Sequence, residues 1–333
     1  MRILVFPSLI ALLAAVAAFW WGGLPALFLL VLLAVLETTL SFDNAVVNAK
    51  VLSKMERVWQ RRFLTWGIPI AVFGTRFLLP LVIVSVAAAL GPIAALKLAL
   101  LNPAQYGEHL ANAHTSIASF GSAFLLLVSL KYFFNETKTV HWIGLIERYF
   151  TRWGGIEAIE IAIVLLVLLG AAIIEPAKAA TILIAGLLGV IVFVVIQGIA
   201  QSFEMKTGPE SVATAGAALF AYLNVLDSAF SLDGVVAAFA ITANLPVIVG
   251  GLGIGALFVR SFTIALVRAH TLETLVYLEH GAHYAIFGLA LAMLAGIFIN
   301  IPEVVTGFIG LVFIGLAYIS SRSRASAAAS RNH

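Results

Sequence analysis

Ten apolar runs, each long enough to cross a bilayer as a helix, occupy most of this chain. They extend roughly from Ile3 to Trp21, Pro25 to Ala49, Phe63 to Leu90, Ala113 to Phe134 and Glu157 to Ile174. The second five run from Ala179 to Gln201, Thr214 to Ile241, Pro246 to Val267, His280 to Ile299 and Glu303 to Ile319. A membrane-crossing helix needs about 20 mostly apolar residues. Only 11% of the 333 residues are charged and 62% are hydrophobic, whereas a soluble domain carries about 25% charged residues. Too few charges are present to cover a water-facing surface, so most of the surface faces lipid. The expected fold is all-α, a polytopic membrane protein of about ten transmembrane helices.

Arg2 before an apolar run has the look of a signal peptide. The run nevertheless reaches Trp21, and Gly22-Gly23-Leu24-Pro25 turns straight into the next run, so the first span is read as an uncleaved helix. With ten spans, all but four of the 19 lysines and arginines fall on the side of the N-terminus. Lys97 and Lys178 lie opposite, and Arg76 and Arg260 lie within spans. The positive-inside rule makes the rich side cytoplasmic, with both termini there and a bacterial inner membrane as the expected location. The net charge of +3 therefore reflects topology and does not point to nucleic acid.

The chain also contains itself twice. Leu36-Glu37-Thr38-Thr39-Leu40-Ser41-Phe42-Asp43-Asn44 in the second span returns as Leu226-Asp227-Ser228-Ala229-Phe230-Ser231-Leu232-Asp233-Gly234 in the seventh. Gly67 precedes Arg76, and Gly251 precedes Arg260, by the same interval; Phe120-Gly121 matches Phe287-Gly288. Five crossings separate the copies, so equivalent helices enter the membrane from opposite sides. This predicts an inverted-topology repeat, with a first five-helix unit over 1–175 and a second over 176–320. Residues 321–333 form a short polar tail, expected to be disordered. In such folds the substrate site lies near the midplane, where both acidic motifs fall.

An intramembrane carboxylate is costly, about 2.5–3.5 kcal/mol for Asp on the insertion scale, and is a functional candidate by default. Arg76 and Arg260 can each pair with an acid of their own repeat, which alone would be a structural lock. Two arginines neutralise only two of the acids Glu37, Asp43, Asp227 and Asp233, and a divalent cation or shared protons would cancel the remainder. Glu37, Ser41, Asn44 and Asn48 form one stripe along a helix. On an unbroken helix Glu37 and Asp43 would stand about 9 Å apart along the axis, at about 1.5 Å per residue. Either the helix breaks around Ser41 to Asn44 or the acids serve successive stations. A break is favoured, and Gly234 should ease it in the second copy. Ser41, Ser231 and the Asn44 carbonyl complete an oxygen-rich set suited to Mn²⁺, Ca²⁺ or Mg²⁺. The chain has no cysteine, so thiolate ligation is excluded.

These motifs resemble the TerC family, and more closely a longer branch of it catalogued as a domain of unknown function. The Arg61-Arg62-Phe63-Leu64-Thr65-Trp66-Gly67-Ile68-Pro69-Ile70 and Tyr277-Leu278-Glu279-His280-Gly281-Ala282-His283-Tyr284-Ala285-Ile286 stretches are similar to that branch, and the resemblance runs from about Leu29 to Ile299. It implies membership of the lysine-exporter superfamily and Mn²⁺ efflux, with Glu37, Asp43, Asn44, Asp227 and Asp233 as site residues.

Glu279, His280 and His283 have spacing that invites a metal, as an accessory entry station. Their place at the start of the ninth span is the simpler account. Gly250-Gly251-Leu252-Gly253-Ile254-Gly255 lacks the preceding strand of a dinucleotide loop, and Gly251 with Gly255 reads as a close-packing face. The expected activity is secondary transport of a divalent cation, not enzymatic, with Arg76 and Arg260 balancing charge or gating and no organic cofactor. Crowded carboxylates can exchange a metal for protons. An intramembrane metalloenzyme using the histidines, or a membrane scaffold for secretion or quality-control machinery, are the alternatives. Membrane lipid and the metal ion are the expected partners; further copies of the chain remain open, and nucleic acid is not expected.

Overall fold

The structure is a computed structural model that describes residues 2–136, 138–204, 209–269, 271–299 and 301–331. Among these residues it is an all-helical polytopic membrane protein, without strands. Helix α1 (Arg2–Leu40) is two limbs joined at Gly23. The φ of 66° there lies in the left-handed region open to glycine. The limb of residues 2–22 doubles back on 24–40, since Ala11 and Ala15 line one cavity with Leu30 and Ala34. After it come α2 (Phe42–Ser53) and α3 (Arg57–Thr65). A helical turn at Gly67–Pro69 leads into a π-helical segment at Ile70–Leu78, and α4 (Leu79–Ala87) follows. Next are α5 (Pro92–Leu101), α6 (Pro103–Asn112), α7 (His114–Phe133), α8 (Gly144–Trp153) and α9 (Ile159–Ile174). The remaining long helices are α10 (Ala179–Glu204), α11 (Pro209–Ile241), α12 (Leu245–Arg268), α13 (Leu278–Ala295) and α14 (Glu303–Arg331), with short helical turns at Pro176–Lys178 and Thr271–Thr274.

Helices stand at all ten expected positions, but not all as expected. Six stretches of described residues are long and apolar enough to cross a membrane, the first being the whole of Leu4–Leu40; α5 and α9 are shorter apolar helices. Residues 91–112, to which no span is assigned, fold into α5 and α6, each opened by a proline at its first turn. Their small buried face of Ala95, Ala99, Tyr106 and Leu110 packs on the bundle. Tyr106 meets Phe239 of α11 with ring centroids 5.3 Å apart. The third span is not uniform, because its middle widens into the π segment ahead of Pro80, which cannot donate to a helical ladder. Helix α14 runs on to Arg331 through the tail for which disorder is expected. Alanines 325 and 327–329 are strong helix formers that extend it.

The core is centred on α7, where Phe124, Leu125 and Leu127 are fully buried. Small residues let backbones approach it: a Cβ on Gly189 of α10 would stand 2.5 Å from the Phe120 carbonyl. On the other side of the bundle, α12 lies parallel to the second limb of α1. A Cβ built on Gly251 would come 2.7 Å from Leu33 Cβ, and one on Gly255 would strike the Glu37 side chain and stand 3.1 Å from the Ala34 carbonyl. This is the close-packing face read from the sequence. Gly255→Ala is accordingly expected to destabilise by about 1–3 kcal/mol through overpacking. Gly170→Ala, where a Cβ meets nothing within 4 Å, should be neutral or stabilising by up to about 1 kcal/mol. Thermal unfolding of the two variants in the same detergent compares them; equal shifts would show that the Gly255 contact is not tight.

Candidate functional site

The two motif copies cross antiparallel and meet reciprocally. Asn44 donates through Nδ2 to Asp227 Oδ1 at 2.8 Å, while Glu37 lies over Gly234, where a Cβ would stand 3.2 Å from Oε2. The first acid of each copy thus meets the residue seven places on in the other. The glycine lets Glu37 approach closely here and does not break the helix, which corrects the sequence expectation for that position. Helix α11 runs unbroken through Asp227 to Gly234. The break lies in the first copy instead, at Ser41 between α1 and α2. There the Asn44 N–H donates to the Asp43 carboxylate at 2.9 Å, a local bond that competes with the helical ladder.

Each arginine is held by the first acid of its own copy. Arg76, on the π segment, pairs with Glu37 through Nη2 and donates through Nη1 to the Ala71 carbonyl at 2.7 Å. Glu37 also accepts from the Ser41 hydroxyl at 3.1 Å. Arg260 reaches Asp227 Oδ2 at 3.4 Å and donates to the Phe63 carbonyl at 3.0 Å. Its guanidinium lies 4.2 Å from the Phe63 ring centroid, over the gap left by Gly67. Glu37, Asp227, Arg76 and Arg260 are all buried. Desolvated pairs of this kind resist loss of either partner.

Asp43 stands apart. It is 3% exposed, makes no ion pair among the described residues, and faces Gly310 of α14, where a Cβ would lie 3.9 Å from Oδ2. On the two crossing helices, the Asn44 and Asn48 side-chain carbonyls of α2 are buried without a hydrogen-bond partner, as is the Ser231 hydroxyl on α11. The side chain of Asp233 lies outside the described residues. The described side chains do not form a single acidic cage: no three His, Asp or Glu among them are placed to hold one metal ion. Ser41 is turned to Glu37 and not to a free space.

Glu279, His280 and His283 are not gathered with the acids. His280 and His283 are 4% and 7% exposed, packed inside the bundle. His280 Nε2 contacts the Val140 carbonyl at 2.8 Å and Glu147 at 3.5 Å. His283 stacks on Tyr132 with centroids 3.7 Å apart, and Glu279 pairs with Lys50 at 2.7 Å. Sequence reasoning missed Glu147, which is fully buried in α8 and pairs with Lys138 at 2.6 Å. No local signal marks it, because its burial is created by a loop folding back on α13.

Glu147 also accepts the N–H groups of Trp142 and Ile143, each at 3.2 Å. Burial works to raise its carboxyl, but the hydrogen bond and charge of Lys138 outweigh that and hold it below its ordinary 4.5. A lowered carboxylate stabilises fully above the unfolded value and loses this as pH falls through the folded one. Hydrogen-exchange protection factors at Trp142 and Ile143 should therefore hold from neutral pH down to the ordinary carboxylate value of 4.5 and fall only below it. Loss of protection already at neutral pH would show that this carboxylate does not hold the loop.

Comparison with protein families gives one decisive finding: the model described as "Protein of unknown function (DUF475)" matches residues 42–327. The chain belongs to the DUF475 family. Comparisons with curated proteins and with solved structures give no match. The part shared with the DUF475 family opens at Phe42, directly after the break, and takes in Asp43, Asn44, both arginines, Asp227 and Asp233. Glu37, the partner of Arg76, and the N-terminal hairpin lie before the matched residues.

Proposed function

We propose that this DUF475 protein is a secondary carrier that moves a divalent cation along the seam where α2 and α11 cross. One observation carries the reading. Arg76 and Arg260 are already engaged by Glu37 and Asp227, so Asp43 remains buried beside a helix break with no counter-charge among the described residues. A bare buried carboxylate is expensive, and nature neutralises such groups by pairing or metal coordination. The unpartnered oxygens of Asn44, Asn48 and Ser231 are neutral donors of the kind a partly dehydrated cation needs. Asp233, at the equivalent position in the second copy, is the second acid in this reading.

An all-oxygen set suits Mn²⁺, Ca²⁺ or Mg²⁺, and the likeness to TerC proteins favours Mn²⁺ and efflux. Glu37 and Asp227 then act with Arg76 and Arg260 as a neutral frame that holds the crossing while the cation passes Asp43. Orientation in a bacterial inner membrane with both termini in the cytoplasm belongs to the same proposal. The test is flux of Mn²⁺, Ca²⁺ and Zn²⁺ into proteoliposomes, with Asp43→Asn and Asp233→Asn beside the wild type. Metal uptake above protein-free vesicles that either substitution abolishes is the expected result. Absence of flux for every ion in folded wild-type protein would remove the proposal.

A further inference from the structure

Two adjoining cavities lie where α2 and α12 end and α3 begins, the second reaching Arg260 beside the cation seam. The first, of about 730 Å³, is lined by Arg57, Arg61 and Arg268, with Lys50 at one edge and Glu273 the only acid among its lining residues. Lys50 is occupied by Glu279 at 2.7 Å, and Arg62 is turned away onto the Trp59 ring at 4.4 Å. Arg57, Arg61 and Arg268 are exposed and make no ion pair among the described residues. The second cavity, also about 730 Å³, shares Ile264 and Arg268 with the first and continues along the lipid-facing limb of α1. Phe6, Ile10, Ile68, Leu257 and Ile264 make most of its wall apolar, with Thr65, Ser261 and Arg260 as its polar members besides Arg268.

A basic chamber opening into an apolar groove is complementary to an amphiphile with a negative head. We infer that the joined cavities seat one anionic glycerophospholipid, its phosphate between Arg57, Arg61 and Arg268 and an acyl chain along Ile68 and Ile264. Guanidinium groups match phosphate oxygens bidentately, and basic pockets between transmembrane helices bind phospholipid heads. Charge chooses the occupant over a protein helix, because an apolar helix would leave three arginines facing it unpaired. The groove also touches the buried Arg260 of the cation frame, but the phosphate-binding residues Arg57, Arg61 and Arg268 and the tested Ile68 take no part in cation passage, so either proposal can fail without the other.

The full chain, purified in a neutral detergent and delipidated, would be titrated with phosphatidylglycerol, with phosphatidylcholine of the same acyl chains, and with inorganic phosphate. One-to-one adducts would be read by native mass spectrometry. Phosphatidylglycerol should bind at least about tenfold tighter than phosphatidylcholine, and R57Q/R61Q/R268Q should weaken it on the order of a hundredfold, each of the three bases near a membrane surface contributing roughly fivefold in affinity. Ile68→Trp, which fills the groove but leaves the arginines, should weaken the lipid adduct alone. Should the triple variant misfold, the wild-type preference and Ile68→Trp still decide the matter. Equal binding of the two lipids, an unchanged preference in the triple variant, no effect of Ile68→Trp, or displacement of the lipid by equimolar inorganic phosphate would each overturn the inference.

Discussion

Arg76→Met will destabilise the protein by about 3–5 kcal/mol, the expected cost of leaving one member of a buried ion pair without its partner. Glu37 would then be 2% exposed with no cation to face it, and the Ala71 carbonyl would lose its 2.7 Å donor. The Ser41 hydroxyl, at 3.1 Å, cannot replace a guanidinium. The double variant E37Q/R76M should recover most of the loss, because replacing both charges of a buried pair removes two desolvation penalties together. Arg260→Met should cost less, since Asp227 keeps the Asn44 amide at 2.8 Å and its contact to Arg260 is longer, at 3.4 Å. Thermal unfolding of wild type, E37Q, Arg76→Met and E37Q/R76M in one detergent measures the cycle, with Arg260→Met beside them. A double variant as unstable as Arg76→Met would show that shape, not charge, sets the cost.

Asp43→Asn is expected to have the opposite signature: metal flux falls to the level of protein-free vesicles while stability rises by about 1–3 kcal/mol. The gain follows from removing a buried charge that has no counter-ion. The amide oxygen of the replacement can still accept the Asn44 N–H, now 2.9 Å from the carboxylate, so the local turn survives. Loss of activity with increased stability is the mark of a group kept for function and not for folding. A variant that transports normally, or one that loses more than about 2 kcal/mol of stability, would assign Asp43 a structural role instead.

Much of the frame was readable before any coordinates. Long apolar runs report their own environment, because lipid requires uninterrupted apolar surface and internally bonded backbone over a fixed length. The Gly23 reversal, the Gly251 and Gly255 face and the pairing of each arginine within its own copy were likewise legible, since each rests on local chemistry or on the repeat. Glu147 and Lys138 were not. Both lie in a polar stretch that reads as an ordinary surface loop, and only its return onto α13 buries them.

Sequence by itself determined that the chain is a helical membrane protein carrying four costly acids in two copies of one motif. Only the tertiary structure decided what each acid faces. Glycine at 234 suggests a weakened helix when read alone, yet α11 continues through it, and the missing side chain lets Glu37 from the other copy approach closely. The helix breaks at Ser41, where Asp43 takes the Asn44 N–H, and Asp43 is left without the partner that Glu37 and Asp227 each have. Period and composition follow from neighbours along the chain, whereas charge balance in a bilayer depends on side chains that meet across it.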